Sequence, residues 1–198
     1  MVELQTSGAL HLPDAEITYL PHFLPTERAS RYFSSLREKA NWQEDEITVF
    51  GKTYAQPRLT ALYGNNGKPY SYSNITMAPS VFTPELLQIK ELVETHADTV
   101  FTTCLLNLYR NGRDSNGWHA DNERELGHNP IIASVSLGAE RYFHLKHNTL
   151  ATERYKLLLG HGSLLLMKGP TQHCWKHQIP KTAKPVAERI NLTFRVIP

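Results

Sequence analysis

The amino-acid sequence predicts a mostly β protein with flanking helices, folded as a single-domain sandwich or jelly roll. Short β-rich runs separated by turn residues follow one another from Phe101 to the end of the 198-residue chain. Two amphipathic segments come before them, and no repeat or low-complexity tract divides the sequence. Many short strands within about 100 residues are typical of two packed sheets, and the two helices would cover one of them.

Two segments in the first half have the periodicity of helices. The first begins at Pro25 and runs to about Trp42, with apolar residues on one face at Ala29, Phe33, Leu36 and Ala40. The second begins at Thr83, which suits the N-cap, and Pro84 suits its first helical position. Its apolar stripe predicts packing on a sheet through Leu86, Ile89, Val93 and Ala97.

The β-rich runs of the second half predict strands at 101–109, 131–137, 140–146, 153–159, 163–168, 172–179 and 189–196. Residues 44–73 mix β-rich runs at 47–50 and 58–63 with turn signals at Gly51 and 65–67. We interpret this stretch as two hairpin-like excursions.

Charge and cysteine content exclude several classes of protein. The net charge of +2 does not indicate a nucleic-acid binder by itself, so any basic surface must be local. Cys104 and Cys174 lie far apart without a C-x-x-C pair, which argues against a disulfide framework and a thiolate zinc site. The N-terminal residues lack the pattern of a signal peptide, and no apolar run could cross a membrane. We expect a cytoplasmic protein, or a nuclear one in a eukaryote.

Three residues form a candidate metal site: His119, Asp121 and His177. Residues i and i+2 of an extended segment point the same way, so His119 and Asp121 can face one point. Two histidines and one carboxylate are the ligands that non-haem Fe(II) oxygenases use. H-x-D alone is a weak signal, since most histidines are core or surface residues. His173, also in a β-like run, is an alternative third ligand.

The C-terminal strand has a strict period of two. Its apolar residues alternate with Arg189, Asn191, Thr193 and Arg195. A strand with one face in water would explain the alternation, but such faces usually mix signs of charge, and this one has no acid. Arginine binds carboxylates bidentately, so the face suits a dicarboxylate, and Asn107 and Tyr109 offer further polar groups by the same alternation. Beside a metal triad, this pattern indicates an iron and 2-oxoglutarate oxygenase.

Several motifs in order resemble the AlkB family of alkylation-repair dioxygenases, and the eukaryotic DNA-acting members most of all. The resemblance runs from about residue 45 to the C-terminus and rests on Pro57-Arg58-Leu59-Thr60, Tyr63-Gly64, Tyr70-Ser71-Tyr72-Ser73, Asn107-Leu108-Tyr109, Trp118-His119-Ala120-Asp121-Asn122-Glu123, 131–138, His161-Gly162-Ser163, Trp175-Lys176-His177 and 189–195. It implies a double-stranded β-helix in one dioxygenase domain. Residues from about 101 would form its core, and about 1–100 an N-terminal extension with two helices and nucleotide-recognition hairpins.

The resemblance also implies the chemistry: Fe(II), 2-oxoglutarate and O2 remove alkyl groups from bases such as 1-methyladenine and 3-methylcytosine, releasing an aldehyde, succinate and CO2. The metal triad falls on His119, Asp121 and His177, which makes His173 a structural or surface residue. Positions that hold 2-oxoglutarate fall on Asn107, Tyr109, Arg189, Asn191 and Arg195. The expected partner of the monomeric protein is alkylated DNA, with RNA as the alternative.

Several residues expected to bind the substrate each have an alternative role in the fold. Tyr72 would stack on the extruded base opposite His119, with Tyr70 nearby, although both tyrosines could simply pack on a sheet. Phe50 would be a wedge in the duplex, or else a core residue, and Arg58 matches a residue that grips DNA. Asn122 stands where several relatives carry an acid, and Glu123 would either contact the base or cap its loop.

Two further classes of protein are alternatives to a nucleic-acid demethylase. A protein or small-molecule oxygenase of the same fold would lack an aromatic base pocket and residues that grip a duplex. A non-enzymatic binding module would be expected to lose part of the metal or cosubstrate set, whereas here every member is present.

Overall fold

The computed structural model describes residues 1–4, 7–49, 52–68, 70–72 and 75–198. Its helices are α1 (Thr26–Lys39), α2 (Pro84–Ala97) and the short α3 (Thr171–Cys174), with a 3-10 turn at Arg124–Leu126. Its strands are β1 (Val2–Leu4), β2 (Gly8–Leu10), β3 (Glu16–Leu20), β4 (Glu46–Val49), β5 (Lys52–Ala55), β6 (Leu59–Gly64), β7 (Tyr70–Tyr72), β8 (Ile75–Met77), β9 (Thr103–Tyr109), β10 (Asn116–His119), β11 (Ile132–Gly138), β12 (Arg141–His147), β13 (Arg154–Leu159), β14 (Ser163–Lys168), β15 (Trp175–Ile179) and β16 (Arg189–Arg195).

Two sheets face each other, as the predicted jelly roll requires. Within the described residues, the major sheet has the order β2-β3-β14-β11-β16-β9-β6, and the minor sheet has the order β1-β13-β12-β15-β10. Neighbouring strands are antiparallel except for the edge pair of β1 and β13. The major sheet takes three strands from the first hundred residues, so the change of sequence pattern near residue 100 does not divide the sheets.

The core has two layers. Between the sheets, side chains such as Leu105, Ile132 and Leu165 of the major sheet meet Leu145 and Trp175 of the minor sheet. On the other side of the major sheet, the apolar faces of α1 and α2 pack against the alternate residues of the same strands. The central strands β9 and β16 are buried along their whole length, as expected for strands that are covered on both faces.

Both long helices agree with the sequence prediction. Thr83 caps α2, since its hydroxyl oxygen accepts a hydrogen bond from the Leu86 amide at 3.3 Å, and Pro84 is the first helical residue. Helix α1 ends at Lys39, three residues before Trp42, because Ala40 has extended backbone dihedrals. Neither long helix, at 14 residues each, could reach across a membrane in the part of the chain that the structure describes.

The strand prediction differs from the structure in several places, and β10, which carries His119, lies outside every predicted strand. Residues 171–174 form a helical turn rather than the start of a strand, so β15 begins only at Trp175. Strands β1, β2 and β3 have no counterpart in the prediction, because each has only three to five residues. The run at 58–63 belongs to β6, which pairs with β9 at the edge of the major sheet rather than standing in a hairpin.

Two hairpins do exist in this region. Strands β4 and β5 pair as expected at 46–55, and the second hairpin is formed by β7 and β8 at 70–77, beyond the predicted range. Cys104 and Cys174 are free thiols, in agreement with the absence of a disulfide framework.

Candidate functional site

Strand pairing places the three predicted metal ligands together. His119 at the end of β10 lies directly opposite His177 of β15, with the ring centroids 4.2 Å apart. Asp121 follows β10 by two residues, and its side chain is buried. One ligand atom from each of the three residues lies within 4.8 Å of the others, so all three can reach a single ion.

Neighbouring groups orient this triad. The His119 Nδ1 lies 2.7 Å from the Gly117 carbonyl oxygen, so Nδ1–H donates there and Nε2 keeps its lone pair. The Phe143 ring stacks on the His177 ring at a centroid distance of 5.1 Å. The Gln172 side-chain oxygen accepts a hydrogen bond from the Asp121 amide at 2.9 Å, which holds the loop after β10 in place.

The electrostatics favour the protonation states that metal ligands need. Burial and the neighbouring His119 lower the pKa of His177 to about 3, and burial also lowers the pKa of His119. Burial alone would raise the pKa of Asp121, but Arg195 and the two imidazoles outweigh it and bring that pKa to about 2. At neutral pH the site therefore presents two neutral imidazoles and one carboxylate, which is the charge state that binds a divalent ion.

The predicted 2-oxoglutarate residues line the same cavity of about 190 Å³ as the triad. Register explains the convergence, because Arg189 lies opposite Tyr109 and Asn191 lies opposite Asn107 in the pairing of β16 with β9. Arg195, at the end of β16, donates from Nη2 to Asp121 Oδ1 at 2.9 Å. Arg195 thus joins the cosubstrate face to the metal triad.

The burial and hydrogen bonds of Arg189 show whether this cavity fits a dicarboxylate. Its side chain is 1% exposed, and Nη2 donates to Ser136 Oγ and Asn191 Oδ1, both at 2.8 Å. Its Nε and Nη1 have no hydrogen-bond partner among the described residues, and no acid there forms an ion pair with it. Burial lowers the pKa of Arg189 to about 10, so the group remains cationic at neutral pH. A buried, incompletely paired guanidinium is costly unless an anion completes it, and a carboxylate fits this fork.

A family model for the 2OG-Fe(II) oxygenase superfamily matches residues 16–195. The chain belongs to this superfamily. The resemblance to the AlkB family is confirmed by alkB homolog 3 of Bos taurus, named an alpha-ketoglutarate-dependent dioxygenase, which is 40% identical over 192 residues. That alignment covers 92% of this chain and 66% of the relative, so the chain spans just under two thirds of that relative's length.

Two further comparisons agree. The DNA oxidative demethylase ALKBH2 of Mus musculus is 37% identical over 182 residues, covering 88% of this chain and 73% of the relative. The solved structure of OsALKBH1 superposes with a TM-score of 0.64 at 15% identity, covering 95% of this chain and 99% of that one. The structural likeness confirms the oxygenase fold.

The cavity of this superfamily member also holds two predicted substrate residues. Arg58 is buried at 6% exposure, where Nε donates to Asn107 Oδ1 at 2.7 Å and Nη1 donates to the Ser115 carbonyl at 3.1 Å. A grip on DNA from outside the cavity does not fit this burial, whereas contact with a nucleotide inside the cavity does. Glu123 lines the cavity, and its contact with a base stays a prediction.

None of the other predicted substrate residues is among the described side chains that line the cavity. Asn122 is exposed and does not line the cavity. The backbone of Tyr70 and Tyr72 lies in β7, but their side chains lie outside the described residues, as does Phe50. His173 is exposed and its Nε2 accepts a hydrogen bond from the Asn129 amide, in agreement with a surface residue.

Sequence reasoning missed several residues that support the site. Ser134 and Ser136 of β11 hold Asn191 and Arg189, and the Asn191 amide nitrogen donates to Thr193 Oγ1. Asn191 therefore braces Arg189 within β16, and its contact with 2-oxoglutarate stays a prediction. The period-two placement of two serines in an otherwise apolar strand was a signal that could have found them. Gln172 offered no such signal, because its contact with Asp121 spans 51 residues.

Proposed function

We propose that this chain is an Fe(II)- and 2-oxoglutarate-dependent dioxygenase that removes N-linked alkyl groups from damaged bases in DNA. Its substrates would include 1-methyladenine and 3-methylcytosine, and its products an aldehyde, succinate and CO2. The single observation that carries the proposal is the meeting, in one cavity, of the three-ligand set with the incompletely paired Arg189. The alkB homolog 3 and ALKBH2 names of the relatives support the same chemistry.

The residues have separable tasks. His119, Asp121 and His177 would hold Fe(II), leaving positions open for the cosubstrates. Arg189 would bind a 2-oxoglutarate carboxylate, while Asn107, whose amide oxygen already accepts from Arg58, would donate from its amide nitrogen into the cavity. Bound iron with 2-oxoglutarate and O2 supplies the oxidation of the N-linked carbon.

Base selection follows from charge and pairing. Methylation of a Watson–Crick nitrogen blocks pairing and adds positive charge, so the damaged base is cheaper to extrude than a normal one. Inside the cavity it would meet the His119 ring and the Glu123 carboxylate, which both line the wall. The carboxylate would favour a cationic base over a neutral one.

A matched turnover assay tests the proposal. The same sequence containing 1-methyladenine would be offered as single-stranded DNA, duplex DNA and RNA, with aldehyde and succinate measured in each case. We expect formation of both products in equal amounts on DNA, dependent on Fe(II), and loss of both in the Asp121→Ala variant. Turnover on RNA alone would replace the DNA proposal by the RNA alternative. Succinate without aldehyde on every strand would refute nucleic-acid dealkylation.

A further inference from the structure

We propose that the outer face of the minor sheet binds the phosphate backbone of the nucleic-acid strand whose target nucleotide enters the cavity. This inference rests on the proposed function and adds a second, purely electrostatic contact to it. We call this surface the basic face, and it is formed by Trp118, His144, Lys146, Arg154, Lys156 and Lys176.

Strand register builds a line of three cations on this face. Lys146 of β12 lies directly opposite Arg154 of β13 on one side and directly opposite Lys176 of β15 on the other. Neighbouring strands lie about 4.8 Å apart, so the three charges cross the sheet over about 10 Å. We call these residues the basic row. Like charges placed directly opposite one another destabilise a sheet, and a bound polyanion would remove that cost.

Few acids neutralise the basic face. Glu3 of β1 pairs with Lys156 at 2.7 Å at the far edge of the sheet. In the described part of the chain, no member of the basic row forms an ion pair. Arg154 and Lys176 are exposed and Lys146 is half-buried. The row alone carries more positive charge than the net +2 of the whole chain, so this surface is a local basic patch rather than an average one.

The basic face continues to the mouth of the cavity. Lys146 and Lys176 are each one residue away from Leu145 and His177, which lie on the inner face of the same two strands. Gln178 connects the two faces, because it lines the cavity and its side-chain nitrogen lies 3.4 Å from His144 Nδ1. A strand that inserts one nucleotide beside His177 would therefore lead its flanking phosphates towards the basic row.

Trp118 gives the face an aromatic edge. It lies on β10, the edge strand that also carries His119, and the Lys146 ammonium sits 4.5 Å from the centre of its ring. Aromatic rings beside a cationic track are the composition of surfaces that bind single-stranded nucleic acid. The spread of the row over three strands suits a polymer of phosphates better than one small anion.

The test compares two triple variants that remove the same charge from opposite sides of the molecule. One is Lys146→Gln, Arg154→Gln and Lys176→Gln. The control is Arg28→Gln, Arg31→Gln and Lys39→Gln on α1, which covers the far side of the major sheet. Binding of an undamaged single-stranded oligonucleotide would be measured by anisotropy over a salt series, with polyglutamate as competitor. Turnover would be measured on a long alkylated strand and on an alkylated trinucleotide.

We expect the basic-row variant to lower the slope of log affinity against log salt by about 2, since each phosphate contact on a single strand contributes about 0.7. The KM for the long strand should rise while kcat and trinucleotide turnover stay unchanged, and the melting temperature should hold or rise as repulsion is relieved. The single variant Lys146→Gln should show about one third of the slope change.

Equal slopes in the basic-row variant and the wild type would overturn the proposal, as would equal losses in the two triple variants. Competition by polyglutamate as strong as that by the oligonucleotide would assign the face to an acidic protein instead. A matching loss on the trinucleotide would mean that the row acts on the cavity itself. Failure of the proposed function is distinguishable, because it would appear as missing turnover in the wild type, whereas the salt series needs no turnover.

Discussion

The two sides of the cavity are built differently. The metal and 2-oxoglutarate residues stand on or directly after β9, β10, β15 and β16, whose registers place each side chain against a partner. Three of the residues expected to bind the substrate, Phe50, Tyr70 and Tyr72, fall at 46–77, where β4–β5 and β7–β8 each form a separate two-stranded sheet. Isolated hairpins are marginally stable, whereas strands inside a packed sheet are fixed by both neighbours. The chemical side is therefore rigid by construction, and the substrate side depends on how its hairpins are placed.

The largest effect should come from the metal ligands. His177→Ala should lower turnover by at least about 100-fold, since even residues outside the metal shell cost 10- to 100-fold when changed. The fold should persist, because the two core layers do not depend on the ion. Turnover and Fe(II) affinity would be measured together with melting temperature. Normal iron-dependent activity in His177→Ala, with loss in the exposed His173→Ala control, would reassign the third ligand.

The next effect should be on cosubstrate affinity. Arg189→Lys should weaken 2-oxoglutarate binding by about 30-fold or more, because loss of a buried charged contact costs about 2–5 kcal/mol and an ammonium cannot reproduce the guanidinium fork. Arg195→Lys should weaken it too, and should also reduce Fe(II) affinity, since Arg195 holds Asp121. Isothermal titration with each ligand would separate the two. Unchanged 2-oxoglutarate affinity in both variants would refute this dicarboxylate site.

The same contrast explains what could be predicted from sequence. Alternation along β16 identified Arg189, Asn191 and Arg195 as one face, because a period of two is a local property of the chain. The helical turn at 171–174 was mistaken for strand because a four-residue segment is too short to show its period. Burial of Arg58 depends on Asn107 and Ser115, which lie 49 and 57 residues away, so no local pattern could reveal it.

On the substrate side, Tyr72→Ala would decide between stacking and packing. Stacking of an aromatic ring on a base is worth about 1–3 kcal/mol, so the KM for alkylated single-stranded DNA should rise by about 5- to 150-fold with little change in melting temperature. Tyr32→Ala is the packing control, because Tyr32 is buried on α1, on the side of the major sheet away from the minor sheet. A variant that melts early but keeps a normal KM would identify Tyr72 as a packing residue.

A smaller and more selective effect is expected at Phe50. A wedge recovers stacking that is lost when a base leaves a duplex, which costs a few kcal/mol, so Phe50→Ala should impair duplex repair about 10-fold more than single-strand repair. The ratio of the two rates in one preparation is the measurement, with Tyr54→Ala on the exposed strand β5 as control. Equal losses on both substrates would count against a wedge and favour a single-strand or RNA enzyme.

The smallest effect should arise where the chain crosses between the two sheets, at the loop from β9 to β10. Arg110 donates to the buried Asp114 carboxylate from its backbone and its guanidinium, and the Asp114 carbonyl accepts from Arg141. Burial alone would raise the pKa of Asp114, but the Arg110 contacts outweigh it and lower that pKa.

A carboxyl group whose pKa is lower in the folded protein stabilises the fold at pH values above the ordinary pKa of Asp. This stabilisation is lost as the pH falls through the lowered pKa. Asp114→Asn should therefore cost about 1 kcal/mol near neutral pH, and the difference from wild type should shrink below about pH 4 in denaturant titrations. A difference that stays constant with pH would show that packing of the loop, rather than the charge of Asp114, supports the strand that carries His119.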